Sequence, residues 1–211
     1  MIKSFIRTAT PLFLLTSIFL PTSSANDALA QGKASYAVCA SCHGQQGEGQ
    51  KLTNSPRISH LSSWYLTSSI KKFKTNERGY HASDTNGAQM KAMAALLPNS
   101  KAINNVVAYI KTLSSKKALD KIEGDPVKGK ALYMICSSCH SPDGTGNEAM
   151  SAPQISGQHG WYIQNQLKAF KTGLRGTQKG DATGAQMVPM ASTLIDDKAI
   201  ADVVAYIQTL K

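Results

Sequence analysis

Cys39-Ala40-Ser41-Cys42-His43 is the stretch from which the rest of the chain is read, and it returns as Cys136-Ser137-Ser138-Cys139-His140. The two pentapeptides hold all four cysteines of the 211-residue sequence. Two thiols one helical turn apart suit thioether formation with the vinyl groups of a c-type haem, and the histidine that follows brings an imidazole to the iron. A zinc ribbon would space its C-x-x-C pairs by about 15–20 residues, whereas 93 residues separate Cys42 from Cys136. A thioredoxin-type pair needs a strand and helix framework, and two plain disulfides leave the histidine after each pair without a reason. The expectation is two covalently bound haem c groups, attached through Cys39, Cys42, Cys136 and Cys139, with His43 and His140 on the irons.

Adding 97 to the numbers of the first half reproduces the second half without a gap, which is the mark of a duplicated unit. Gly32 and Tyr36 match Gly129 and Tyr133, and Trp64-Tyr65 matches Trp161-Tyr162. Phe73-Lys74-Thr75 matches Phe170-Lys171-Thr172, Arg78-Gly79 matches Arg175-Gly176, and Gly87-Ala88-Gln89-Met90 matches Gly184-Ala185-Gln186-Met187. Each copy reads as helical. A first helix runs into each haem motif, with Asp125 as N-cap before Pro126 at the first helical position. A glycine loop follows (Gly47 and Gly49; Gly144 and Gly146), and a middle helix starts near Ser63 and near Gly160.

The last helix has the clearest period. Ile103, Val106, Val107, Ile110 and Leu113 recur at i, i+3, i+4, i+7 and i+10, and Ile200 to Leu210 repeat the pattern. Asn99 or Ser100 is expected to cap the first of these helices and Asp197 the second. No run alternates apolar and polar residues over strand length, so the fold class is all-α. Periodicity stops around Ser114 to Asp125. The division is therefore 1–25 leader, 26–117 first domain, 118–124 linker and 125–211 second domain. Domains of under about 100 residues make thin cores, so the chain without haem is expected to fold poorly.

The leader reading rests on Lys3 and Arg7 before an apolar run, Leu12 to Leu20, and then Ser23, Ser24 and Ala25. The run is too short to span a bilayer, and cleavage after Ala25 would export the mature chain to the periplasm, where c-type haem is attached in bacteria. Beyond the leader the charge is uneven: residues 26 to 122 carry 13 Lys and Arg against 5 Asp and Glu, and residues 123 to 211 carry 8 against 8. A solvated surface accounts for this, and so does a first half that steers toward an acidic partner or an anionic membrane surface. An exported chain with no recognition motif is not expected to bind nucleic acid.

The face of each iron opposite its histidine decides the function. Candidates are Met90 and Met93, with Met187 and Met190 as their counterparts. A lone methionine is ordinarily packing; a pair at the same distance from each haem motif is a donor candidate. Met93 and Met190 are the expected ligands, because Pro189 fixes the backbone before Met190 in what reads as a loop. His60, His81 and His159 have no histidine counterpart in the other half and read as surface residues.

At this point the chain resembles the cytochrome c4 family of exported two-domain, two-haem cytochromes c. The resemblance rests on both haem motifs, on Pro153-Gln154-Ile155-Ser156-Gly157-Gln158 and on Met187-Val188-Pro189-Met190-Ala191, and it spans nearly all of the mature chain. It implies two class I cytochrome c folds related by a pseudo-twofold axis, His/Met ligation in each, and the carbonyls of Pro56 and Pro153 as acceptors for the axial histidines. The first half departs at His60-Leu61, where the second has Gly157-Gln158, and at Ala92, where it has Pro189.

With both axial positions filled, the expected role is electron transfer rather than catalysis. The resemblance implies an electron carrier of a periplasmic respiratory chain, with a quinol-oxidising complex or another cytochrome as donor and a terminal oxidase as acceptor. The alternatives are a two-haem subunit of a flavoprotein dehydrogenase and a haem peroxidase, the latter requiring one open iron. Peripheral membrane association is compatible with the basic first half.

Overall fold

The structure is a computed structural model that describes residues 23–116 and 120–210. The expected leader lies outside the described residues, apart from Ser23 to Ala25 at the start of the first helix. Among the described residues, eight α-helices form two matching sets of four: α1 (Ser23–His43), α2 (Ser63–Lys74), α3 (Thr85–Ala95) and α4 (Ser100–Ile110), then α5 (Pro126–His140), α6 (Gly160–Lys171), α7 (Ala182–Ser192) and α8 (Asp197–Ile207). Among the described residues there is no strand, only isolated antiparallel bridges at Gln50–Ser55 and Asn147–Ala152. No described helix is long and apolar enough to cross a membrane.

Local chemistry sets the helix starts. Asp125 accepts from the amides of Val127 (2.9 Å) and Lys128 (3.2 Å) ahead of Pro126, using orphan donors of the first turn. Asn99 caps α4 through Ala102 N at 3.0 Å. The cap of α8 is Asp196, which accepts from Ala199 N at 2.7 Å, and not Asp197. Asp196 has the extended backbone a cap requires (φ −144°, ψ 176°), while Asp197 is already inside the first turn.

The methionine segments are helices rather than loops. Asp84 and Asp181 cap α3 and α7 by accepting from Gly87 N (2.8 Å) and Gly184 N (2.9 Å). Pro189 therefore stands inside α7, where it cannot donate to the carbonyl of Ala185. These helices escape a search for apolar period because their inward positions are Gly87 and Ala94, and Gly184 and Ala191, all buried but small.

In each set the helix that carries the haem motif crosses the last helix, α1 over α4 and α5 over α8. Glycine makes the crossing close: a Cβ on Gly32 would lie 2.1 Å from the Asn105 carbonyl oxygen, and one on Gly129 1.9 Å from that of Asp202. The periodic stripes of α4 and α8 form the two cores, with Ile103, Val106, Ile200, Val203 and Val204 at most 2% exposed. Each such side chain contributes roughly 1.5–3 kcal/mol relative to exposure. Tyr36 and Tyr133 lie against Tyr109 and Tyr206 at 5.4 and 5.3 Å between ring centroids.

The two sets meet through a polar seam. Arg57 and Gln158 exchange bonds, Arg57 N donating to Gln158 Oε1 (3.0 Å) and Gln158 Nε2 to Arg57 O (2.8 Å). Arg57 also reaches Gly157 O (3.0 Å) and, in the connecting segment, Ser115. Lys72 pairs with Asp181 and Thr183, and Tyr80 donates to Gly173 O at 2.9 Å.

Two of the three unmatched histidines belong to this seam and not to the surface. Both ring nitrogens of His60 are buried without a partner. His159 is bonded on both nitrogens. Only His81 is exposed as expected. A sequence comparison between the halves sees that these residues have no histidine counterpart, but not that both are drawn out of solvent.

Candidate haem sites

Each site starts from the last turn of α1 or α5. Because α1 is helical through His43, Cys39 and Cys42 project one turn apart with His43 beside them, and α5 does the same for Cys136, Cys139 and His140. All four thiols are free and partly buried. Burial pushes the Cys39 thiol up from its usual range and that of Cys136 to about 11. A redox-active dithiol needs the opposite, a thiol lowered toward neutrality, so the thioredoxin-type reading fails on chemistry as well as on fold.

The loop after each motif folds back to fix the histidine. Gly49 N donates to His43 O (2.8 Å) and Gly146 N to His140 O (2.9 Å). Gly47 O accepts from the amides of Ile58 and Ser59, and Gly144 O from those of Ile155 and Ser156. This holds the proline of each loop against the ring: His43 Nδ1 lies 2.9 Å from Pro56 O, and His140 Nδ1 2.8 Å from Pro153 O. A carbonyl only accepts, so Nδ1 carries the proton and Nε2 keeps its lone pair. Burial lowers both histidines below their usual value while the proline bond opposes it, and the result is a neutral ring.

Two side chains unassigned by sequence reasoning complete the frame. Tyr36 donates to Gly44 O and Tyr133 to Ser141 O, both at 2.7 Å, tying each motif helix to the loop after it. Burial raises both phenols far above their usual value, so they remain donors. Arg78 and Arg175 stack over Phe73 and Phe170 at 4.3 and 4.5 Å. Arg175 also reaches Tyr65 across the seam at 3.4 Å. Burial alone would raise the Tyr65 phenol; Arg175 and Arg78 outweigh it and hold the phenol well below the usual range. The signal for all of these was their recurrence at the repeat spacing.

The donor set suits haem c: two thiols for the vinyl groups, a neutral imidazole with its lone pair on Nε2, and methionine sulfurs on α3 and α7 as soft neutral donors. No group of three or more His, Cys, Asp or Glu among the described residues is placed to hold a different metal. Met93 is 40% exposed, and Met90, Met187 and Met190 are half-buried.

Comparisons with known proteins agree with this chemistry. The cytochrome c family profile matches twice, over residues 29–114 and 126–211. Cytochrome c4 of Azotobacter vinelandii is 31% identical over 200 residues, covering 89% of this chain and 90% of that protein. The crystal structure of reduced cytochrome c4 from Pseudomonas stutzeri superposes with a TM-score of 0.67 at 26% identity, over 87% of this chain and 98% of that one. A thiosulfate dehydrogenase electron acceptor of Thiomonas intermedia is 29% identical over 70% of this chain and 68% of its own length. With two matched domains, two haem-binding motifs and similarity along nearly its whole length, the chain belongs to the cytochrome c family as a two-haem electron-transfer protein of the cytochrome c4 type.

Proposed function

We propose that the chain is an exported electron carrier of a periplasmic respiratory chain, receiving electrons from a quinol-oxidising complex or another cytochrome and delivering them to a terminal oxidase. Cys39, Cys42, Cys136 and Cys139 form the thioethers, and His43 and His140 ligate iron through Nε2. The observation that carries the assignment is the pair of histidine–proline bonds, which present the same nitrogen in both domains.

Bound haem supplies a one-electron couple. The protein fixes the imidazole, buries it and supplies a soft sulfur that raises the potential. The sixth ligand is one methionine of each pair. Sequence reasoning selects Met93 and Met190. Helix phase supports Met90 and Met187: each falls on the stripe of buried small residues, Gly87-Met90-Ala94 and Gly184-Met187-Ala191, while Met93 and Met190 lie about 100° around the helix from the neighbouring alanine.

Similarity to the thiosulfate dehydrogenase electron acceptor supports a second reading, in which the chain works bound to a dehydrogenase. Purification under native conditions separates the two. A free carrier emerges alone and is reoxidised by membranes that contain the oxidase; a subunit emerges with its dehydrogenase and is reduced by that enzyme's substrate.

A further inference from the structure

We propose that His159, held as an imidazolium, is a positioning residue that clamps the two haem domains together and so sets the rate at which an electron passes from one haem to the other. The proposal rests on the electron-carrier reading.

Its geometry joins three parts of the chain. His159 is the N-cap residue of α6 in the second domain. Its Nδ1 lies 2.7 Å from Asp120 Oδ1 in the connecting segment, and its Nε2 lies 2.8 Å from the carbonyl oxygen of Glu48. Glu48 belongs to the first domain's loop between His43 and Pro56, the same loop that orients the first axial histidine.

Both partners accept. A neutral imidazole has one N–H and meets one acceptor, whereas the imidazolium has two and meets both. The other oxygen of Asp120 accepts from Gly160 N (2.9 Å) and Trp161 N (3.3 Å), which fixes the carboxyl group at the start of α6. The ring also stacks on Trp161 at 5.2 Å and 24°, a contact that favours a cation.

The opposing charges are the positive end of α6 and, from the first domain, Arg57, Lys111 and His60. His60 adds no charge near neutrality, because burial, with Arg57 and Lys111 beside it, holds its titration near 3. The Glu48 carboxylate is engaged by its own loop, accepting from Gln46 N at 2.7 Å. Asp120 is thus the carboxylate that answers the ring, and it does so at one hydrogen bond's length.

The clamp is one-sided. The repeat counterpart of His159 is Ser62, whose hydroxyl is buried without a partner. Loss of the proton from the clamp leaves a lone pair on one ring nitrogen facing an acceptor oxygen, so the contact between the second domain and the first haem loop opens at that point. Interhaem transfer, which depends on how the domains are held, then slows.

Two measurements on the holoprotein test this. Long-range ¹H–¹⁵N NMR of the fully reduced, diamagnetic protein reads the His159 ring directly. It is expected to show both nitrogens protonated, one facing Asp120 and the other the Glu48 carbonyl. Pulse radiolysis reads interhaem transfer in the same protein. His159→Phe, which keeps the Trp161 stack but removes both ring N–H contacts, is expected to transfer electrons between the haems several-fold more slowly than the wild type. A ring protonated on one nitrogen only, or a His159→Phe variant that transfers electrons at the wild-type rate, overturns the proposal. Absence of interhaem transfer at any pH, with the ring charged, overturns both the proposal and the electron-carrier reading beneath it, whereas a neutral ring with rapid transfer overturns the proposal alone.

Discussion

The first and second haem domains are the same frame fitted with different polar side chains. In both, the motif helix crosses the last helix at a glycine, a tyrosine ties it to the following loop, and a proline carbonyl holds the motif histidine at 2.8–2.9 Å. Differences begin one layer out. The buried position beneath the crossing is neutral Asn105 in the first domain, bonded to Gln31 at 2.9 Å. In the second it is Asp202, which accepts from Asp125 N (2.7 Å) and Lys198 (2.8 Å). At the seam, His60 stands opposite Gly157 in the repeat, and Ser62 opposite His159. The formal positive charge of residues 26–211 falls on the first half, residues 26–122. Duplication kept the groups that grip a haem, while the groups that set each haem's electrostatic surroundings diverged.

The comparison breaks most severely at the two histidines proposed as iron ligands. His43→Ala and His140→Ala each remove the imidazole that the loop is built to hold. Each variant is expected to lose the low-spin spectrum and reversible reduction of its own haem and leave the other intact. Optical and paramagnetic resonance spectra of the two proteins check this. If either variant loses both haems, the domains are not independent folding units.

A smaller effect separates the methionines. Replacing the true ligand with alanine removes the sulfur charge-transfer absorption of that ferric haem and lowers its potential. Replacing the other methionine leaves the band. Helix phase leads us to expect the loss for Met90→Ala and Met187→Ala. The retained-band variants, Met93→Ala and Met190→Ala, are expected to cost under about 1 kcal/mol where the side chain is exposed. The opposite pattern restores Met93 and Met190 as ligands.

The smallest effect sharpens the contrast in acid. Burial holds His60 near 3, against about 6.5 in an unfolded chain. Between these values only the unfolded state takes up the proton, so first-domain stability falls as pH drops below about 6.5, by about 1.4 kcal/mol per pH unit. Asp202 is lowered by the Asp125 amide and then by Lys198. Its contribution persists above the ordinary carboxylate value and is lost only as pH falls through its folded value. On acidification the first domain is therefore expected to unfold before the second. The indole N–H signals of Trp64 and Trp161, one in each domain, report this by NMR, and His60→Leu is expected to bring the two transitions together.

Much of this was legible in the sequence because it repeats or has a period. The haem motifs, the duplicated domains and the stripes of α4 and α8 follow from spacing, the Asp125 cap follows from Asp before Pro126, and the cap of α4 was narrowed to Asn99 or Ser100. The proline carbonyls came from family resemblance. What spacing hid was of three kinds. α3 and α7 turn Gly87, Ala94, Gly184 and Ala191 inward, and small residues give no apolar signal. Pro189 looked like a loop residue because local preference disfavours proline inside a helix, and tertiary packing overrode it. The placement of His60 and His159 belongs to the docking of one domain on the other, a relation absent from either repeat taken alone.

The central claim is that both irons are closed by protein ligands, so that electrons alone come and go. Spectroelectrochemical titration of the purified holoprotein, followed by carbon monoxide added to the reduced form, tests it most directly. The account predicts two one-electron transitions from two low-spin haems per chain and no change in the reduced spectrum on adding the gas. Fewer than two haems, or a carbon monoxide adduct at both ferrous centres, would contradict it.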